Sequence, residues 1–266
     1  MKYLRPATLL EAVKLQSVHP QARLLAGGTD LMVRRTTWLK PDATLIDIKA
    51  LPELQGLQSE DHRLWIGALT TVETLRTSPI VRERFPALAQ AGDRFAGLQI
   101  RHRATLGGNL VNASPAGDLI PPLYVYQARV HLASAAGSRT LAIVDFFRGP
   151  GVTARQPDEI LTGVTLPYPT GESAFFKVGN REAMAISVVN GALRWEVAEG
   201  RFRDLVVAAG AVAPTVVYCR RFTSALLEGR PLAKALEALE ADIAPIDDLR
   251  ASAWYRRRVL ARLLED

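Results

Sequence analysis

The sequence predicts an α+β chain in two parts, 1–168 and 169–266. Three observations predict it. Short helix and strand patterns alternate along the first 60 residues. A boundary rich in breakers follows at Pro167-Tyr168-Pro169-Thr170-Gly171. Beyond it come three strand candidates, which predict a three-stranded antiparallel sheet, and then a run of closing helices. The first part is expected to divide again near residues 55–60.

Along the chain, Thr8-Leu9-Leu10-Glu11 reads as a capping box, and Leu9 and Val13 begin one apolar helix face. Residues 22–25 form a short strand that runs straight into Gly27-Gly28. Residues 44–48 and 63–66 are further strands. Residues 70–92 read as helical, with Thr70 or Thr71 as cap and Pro79 and Pro86 as breaks. The stretch 93–123 mixes Gly, Asn, Ser, Asp and Pro with isolated apolar residues. It reads as a buried irregular segment whose amides need partners, and a polar ligand is one way to supply them. Strand patterns recur at 127–132, 140–144, 173–178, 186–197 and 205–212, with the turn Glu199-Gly200 joining the last two. Helices are expected at 222–228, 232–239 and 248–264.

With 266 residues, 48% hydrophobic and 23% charged, the chain has the composition of a globular protein able to bury a substantial core. No apolar run approaches the roughly 20 residues that span a bilayer. The start, Met1-Lys2-Tyr3-Leu4-Arg5-Pro6, lacks the apolar core of a secretory signal, so a cytoplasmic protein is expected. The single cysteine, Cys219, excludes an internal disulfide, and any iron–sulfur cluster or Cys-rich zinc site made by this chain alone. The net charge of +6 comes mostly from arginines interleaved with acids. Its densest run, Arg256-Arg257-Arg258, reads as a solvated or subunit-facing helix surface rather than a nucleic-acid footprint. His19, His62, His102 and His131 are scattered without metal-ligand spacing.

Two glycine loops carry the chemistry. In the first, a strand ends at Leu24-Leu25, Ala26-Gly27-Gly28 follow, and Thr29-Asp30-Leu31 open an expected helix. Glycines at such a turn permit positive φ and a ligand's close approach to the backbone. Consecutive amides there can converge on an anion. Asp30 would cap the helix or bond a ribose. The second loop is Thr105-Leu106-Gly107-Gly108-Asn109, followed by Asn112-Ala113-Ser114-Pro115-Ala116-Gly117-Asp118. One such loop is an ordinary connector. Two, in a chain without GxGxxG or GxxxxGK[ST], point to a diphosphate gripped from two sides by main-chain amides, outside the Rossmann and Walker families.

Several blocks, in order over nearly the whole chain, resemble the FAD-binding subunits of carbon monoxide dehydrogenase, xanthine dehydrogenase and related molybdenum hydroxylases. They are residues 25–31, Ile100-Arg101-His102-Arg103-Ala104 running into the second loop, 113–119, 159–161, 176–186 and 248–257. The resemblance implies a two-part FAD-binding domain of the vanillyl-alcohol oxidase and cresol methylhydroxylase type, followed by a smaller α+β flavoprotein C-terminal domain. It implies that Leu24 to Leu31 lies along the FAD pyrophosphate and that Thr105 to Asn109 closes over it. Asp118 matches an FAD-contacting carboxylate and Lys177 a lysine near the cofactor. Phe95 matches an aromatic near the isoalloxazine, and Leu161 an apolar flavin contact. Without the resemblance, Lys177 would be a solvated strand residue and Phe95 a core residue.

The function so implied is electron transfer: FAD here takes electrons from [2Fe–2S] clusters on a small subunit, which a large subunit with a molybdenum cofactor supplies. A heterotrimer or its dimer is expected, with no catalytic acid–base residue and no metal site in this chain. The alternatives are a stand-alone flavin-dependent oxidase or reductase, and a scaffold subunit without cofactor.

Overall fold

Thr8 caps the first helix as expected, and that helix carries the chain back so that three short strands pair in parallel. The computed structural model describes residues 1–265. Its first elements are β1 (Lys2–Leu4), α1 (Leu9–Val18), β2 (Arg23–Leu25), α2 (Arg35–Trp38) and β3 (Thr44–Asp47), in sheet order β1-β3-β2. Thr8 Oγ1 accepts the Glu11 amide at 3.2 Å, while the Glu11 carboxylate takes the amide of Ala7, not that of Thr8. α1 buries Ala12, Val13 and Gln16. The helix expected to open at Thr29-Asp30 is absent; turns run to Arg34, and only the four-residue α2 follows.

A 3₁₀ turn at Pro52–Leu54 leads to the hairpin of β4 (Leu57–Glu60) and β5 (Arg63–Gly67). Helices α3 (Val72–Thr77), α4 (Pro79–Arg84) and α5 (Pro86–Asp93) come next, with Thr71 capping the first and each proline at the first turn of the helix it starts. The stretch 93–123 is less irregular than expected: it contains α6 (Leu98–Arg101), α7 (Leu106–Asn112) and α8 (Ile120–Val125). β6 (Arg129–Ser134), β7 (Gly137–Ala142), α9 (Ile143–Phe146), the ribbon β8 (Phe147–Gly149) and β9 (Val152–Thr153), and β10 (Ile160–Pro167) complete this part. The antiparallel sheet β4-β5-β10-β6-β7 holds two strands the sequence pattern did not reveal, β4 and the central β10. β10 is buried on nearly every residue, so its apolar residues do not alternate. Gly163 in it is obligatory, because an added Cβ would lie 2.6 Å from the Trp65 ring and 2.5 Å from the Ile66 carbonyl oxygen.

The last part is an antiparallel meander of β11 (Glu172–Gly179), β12 (Ser187–Ala198) and β13 (Arg201–Gly210), the three strands anticipated, with the two-residue β14 (Val217–Tyr218) as a fourth. Glu199 and Gly200 both have positive φ, the primed turn that suits a tight hairpin. α10 (Arg220–Leu227), α11 (Leu232–Leu239) and α12 (Ala253–Glu265) cover one face, where Val189, Val207, Phe222, Leu239 and Leu260 form a core. On the other face Phe175, Ala192 and Ala208 join the large core of the first part. A sheet covered on both faces is a stable layer solution for so apolar a β12.

α12 starts at Ala253 rather than 248, since Asp248 instead turns the chain by accepting the amides of Arg250 and Ala251. Arg256 is not on a solvated face. It is 3% exposed and donates to the carbonyls of Val188 (2.5 Å) and Ala211 (3.0 Å) and to Asp248 (2.6 Å). Among the described residues no helix is long and apolar enough to cross a membrane.

Candidate cofactor-binding site

β2 delivers the first glycine loop at the edge of the parallel sheet. Leu24, Leu25 and Leu31 turn into packing clusters, and Trp38 Nε1 fixes the Leu31 carbonyl at 2.8 Å. These leucines anchor the loop and leave its backbone outward. Gly28 has φ +76°, which a side chain disfavours. Among the described residues, no protein acceptor takes the amides of Ala26, Gly27, Gly28, Thr29 or Asp30. The Asp30 carboxylate faces Arg34 at 3.3 Å. Gly27 packs on the backbone just before the second loop: an added Cβ would sit 1.7 Å from the Arg103 carbonyl oxygen. The two loops therefore touch.

The second loop is built differently, because the amides of Leu106, Gly107, Gly108 and Asn109 already have acceptors in the protein. Thr105 caps α7, its Oγ1 accepting the Gly108 amide at 3.0 Å and its carbonyl the Asn109 amide at 3.0 Å. Leu106 donates to the Thr70 carbonyl (2.9 Å) and Gly107 to that of Ala68 (2.8 Å). Gly107 is glycine because a Cβ would meet Ala68 Cβ at 2.8 Å. What this loop offers is a firm wall and one unused acceptor. Asn109 Oδ1 is buried without a hydrogen-bond partner, beside Gly117. Open amides on one side and an orphaned acceptor on the other fit a ligand carrying both phosphates and donor groups. An Asn109→Leu protein is expected to bind FAD about tenfold more weakly, the loss of roughly one hydrogen bond. Its melting temperature should stay unchanged, because no protein partner is lost. Fluorescence titration of the deflavinated protein checks this, and wild-type affinity would refute it.

Asp118 and Lys177 meet, buried, at 2.6 Å. Lys177 is 7% exposed, so the solvated alternative is wrong. The same carboxylate accepts Ser187 Oγ at 2.6 Å and Asn190 Nδ2 at 2.8 Å. Three of the roughly four lone-pair positions of a carboxylate are thereby filled from β11 and β12. Through these bonds the Asp118 carboxylate joins the first part to the C-terminal sheet. Ser187 and Asn190 went unnoticed in the sequence, where the only signal was two polar residues within an apolar strand.

Lys177 also donates to the Arg94 carbonyl at 3.0 Å, and Arg94 Nη2 returns a bond to the Lys177 carbonyl at 2.9 Å. Phe95 follows, half-buried against the core. Ala96 then takes φ +37°, a left-handed conformation that costs a non-glycine residue on the order of 1 kcal/mol. Arg101 Nη1 bonds the carbonyls of Phe95 (3.1 Å) and Ala96 (3.2 Å), and its Nε bonds Glu73 at 2.9 Å. The Arg76 guanidinium holds the Glu73 carboxyl well down, to about 2; burial opposes this and Arg101 adds to it. Leu161 is a core residue, 4% exposed and paired with Leu132. It shares a core cluster with Leu106 and Leu110 of α7, and the carbonyl of its neighbour Thr162 takes the Ala68 amide at 2.9 Å. His102 is exposed.

Residues 1–169 match the model of the FAD binding domain in molybdopterin dehydrogenase, and residues 174–266 that of the CO dehydrogenase flavoprotein C-terminal domain. The chain belongs to this flavoprotein family. The flavin subunit is 36% identical to a putative xanthine dehydrogenase FAD-binding subunit of Escherichia coli (strain K12), over 97% of this chain and 91% of the relative. It is 33% identical to the nicotinate dehydrogenase FAD-subunit of Eubacterium barkeri, over 93% and 85%. It superposes on a chain of carbon monoxide dehydrogenase from Hydrogenophaga pseudoflava with a TM-score of 0.93 at 28% identity, covering 100% of this chain and 94% of that one. The two-domain FAD-binding architecture is thus that of the CO dehydrogenase medium chain, and the flavin subunit is part of an oxidoreductase.

Proposed function

We propose that this flavin subunit transfers electrons within a molybdenum hydroxylase, with residues 1–168 holding FAD and 169–266 bracing that site. The observation that carries the site assignment is the set of open amides from Ala26 to Asp30, pressed against the second loop through Gly27 and Arg103. Bound there, FAD would supply one- and two-electron redox chemistry.

The chain's own residues do the rest. The amides of Ala26 to Asp30 receive the diphosphate, and Gly28 allows it to approach the backbone. Thr105 to Asn109 form the opposing wall, with Asn109 Oδ1 reading a donor of the ligand. Lys177 and Asp118 hold β11 to the loop that precedes Ile120, and Phe95 borders the isoalloxazine. The partners are a large molybdenum-cofactor subunit and a small [2Fe–2S] subunit, in a cytoplasmic heterotrimer or its dimer.

Native purification tests this. Flavin, molybdenum and iron should copurify in fixed ratio, and the flavin absorbance should bleach when the substrate of the large subunit is added anaerobically. A pure chain that turns over a substrate without partner subunits would defeat the reading.

A further inference from the structure

Arg101 does something that neither the glycine loops nor the Asp118 network requires. It lies at the end of the short α6 and reaches back over the turn that carries Phe95. One nitrogen serves two successive carbonyls, those of Phe95 and the left-handed Ala96, while its Nε is held by Glu73. Its side chain is only 16% exposed. Glu73 is held in turn by Arg76 at 2.6 and 3.1 Å, and Arg76 reaches Asp93, the last residue of α5, at 3.2 Å. Three helices thus converge on one two-residue turn.

We propose that Arg101 is the positioning residue of the Phe95 turn, fixing that ring at the edge of the cofactor site. This rests on the reading of Phe95 as the flavin's neighbour. A guanidinium suits the task because its planar fork bonds two carbonyls and a carboxylate at once; an ammonium is a point donor without that geometry. On its other side the same turn is tied by the reciprocal bonds of Arg94 with Lys177. A carbonyl pair clamped on one flank and a buried lysine on the other leave the Phe95 backbone a single setting. That setting is otherwise disfavoured at Ala96.

The test compares wild type with Arg101→Ala and Arg101→Lys as full-length chains, with and without FAD. Hydrogen exchange over residues 94–98 should quicken about tenfold in Arg101→Ala, in the flavin-free chain as well, while the C-terminal sheet keeps its protection. In the loaded protein the emission of bound flavin should rise and its midpoint potential should move, because the ring no longer has a fixed place. Arg101→Lys should recover part of each change. Unchanged exchange in Arg101→Ala overturns the proposal, and so does quickened exchange with emission and potential both at wild-type values. If the wild-type chain takes up no FAD, the proposed function fails instead, and the flavin-free exchange still decides whether Arg101 clamps the turn.

Discussion

Gly27→Ala is expected to strip the protein of flavin. The new methyl would lie 1.7 Å from the Arg103 carbonyl oxygen, and both partners are backbone, so no side chain can rotate away. The loops must part by something over 1 Å. Overpacking of this kind costs typically about 1–3 kcal/mol, and more where backbone must move. In a chain of this length each kcal/mol lowers the melting temperature by roughly 2–4 °C. The larger effect is on binding, because separating the loops spoils the cradle formed by Ala26 to Asp30. Flavin content after gel filtration, with a thermal melt on the same sample, checks both parts. Gly108→Ala is the contrast: its Cβ meets only the Thr105 hydroxyl, at 2.9 Å, so the fold should survive with a smaller binding loss. A Gly27→Ala protein with full flavin content would mean that the contact between the loops does not serve the cofactor.

Asp118→Ala should cause the largest loss of stability. It leaves the Lys177 ammonium buried without a counter-charge and removes the acceptor of Ser187 and Asn190. Breaking a buried pair from one side costs about 3–5 kcal/mol, whereas replacing both members with apolar groups is often neutral. The double variant Asp118→Ala/Lys177→Met is therefore expected to regain much of what the single variant loses. Urea denaturation of the four proteins of this cycle measures the coupling. A single-variant cost below about 1 kcal/mol would show that the pair is not the anchor described here.

The parts of the fold legible in sequence were those whose signal is local. Pro79 and Pro86 read as breaks in the helical stretch 70–92, and each does divide it by opening a new helix, while Thr8 sets a cap within one turn. The nearness of the two glycine loops was legible because the paired Gly-Gly motifs read as two grips on one ligand, whereas their different use of amides was not. β10 was not legible because a strand buried on both faces has no alternation to read, and Gly163 in its middle reads as a breaker. The segment 93–123 reads as one whose amides need partners, a ligand being one source. Ala68, Thr70 and Thr105 take those of the second loop instead, and nothing near it in sequence announces the first of these. Ser187 and Asn190 lie 69 and 72 residues from the carboxylate they bond, a pairing only the folded sheet creates. Arg256 was hidden by its own company, since its neighbours Arg257 and Arg258 do belong to the helix exterior more than it does.

The joint made by Asp118 also sets an order of events during biosynthesis. A ribosome releases both glycine loops long before β12 emerges, and domains tend to fold in that direction. Lys177 on β11 emerges first, and until Ser187 and Asn190 follow it the carboxylate has only one of its three partners and the wall behind the loops is incompletely braced. Firm retention of the cofactor is therefore expected only once β12 has been made, and a chain truncated ahead of it should lose its pigment on gel filtration.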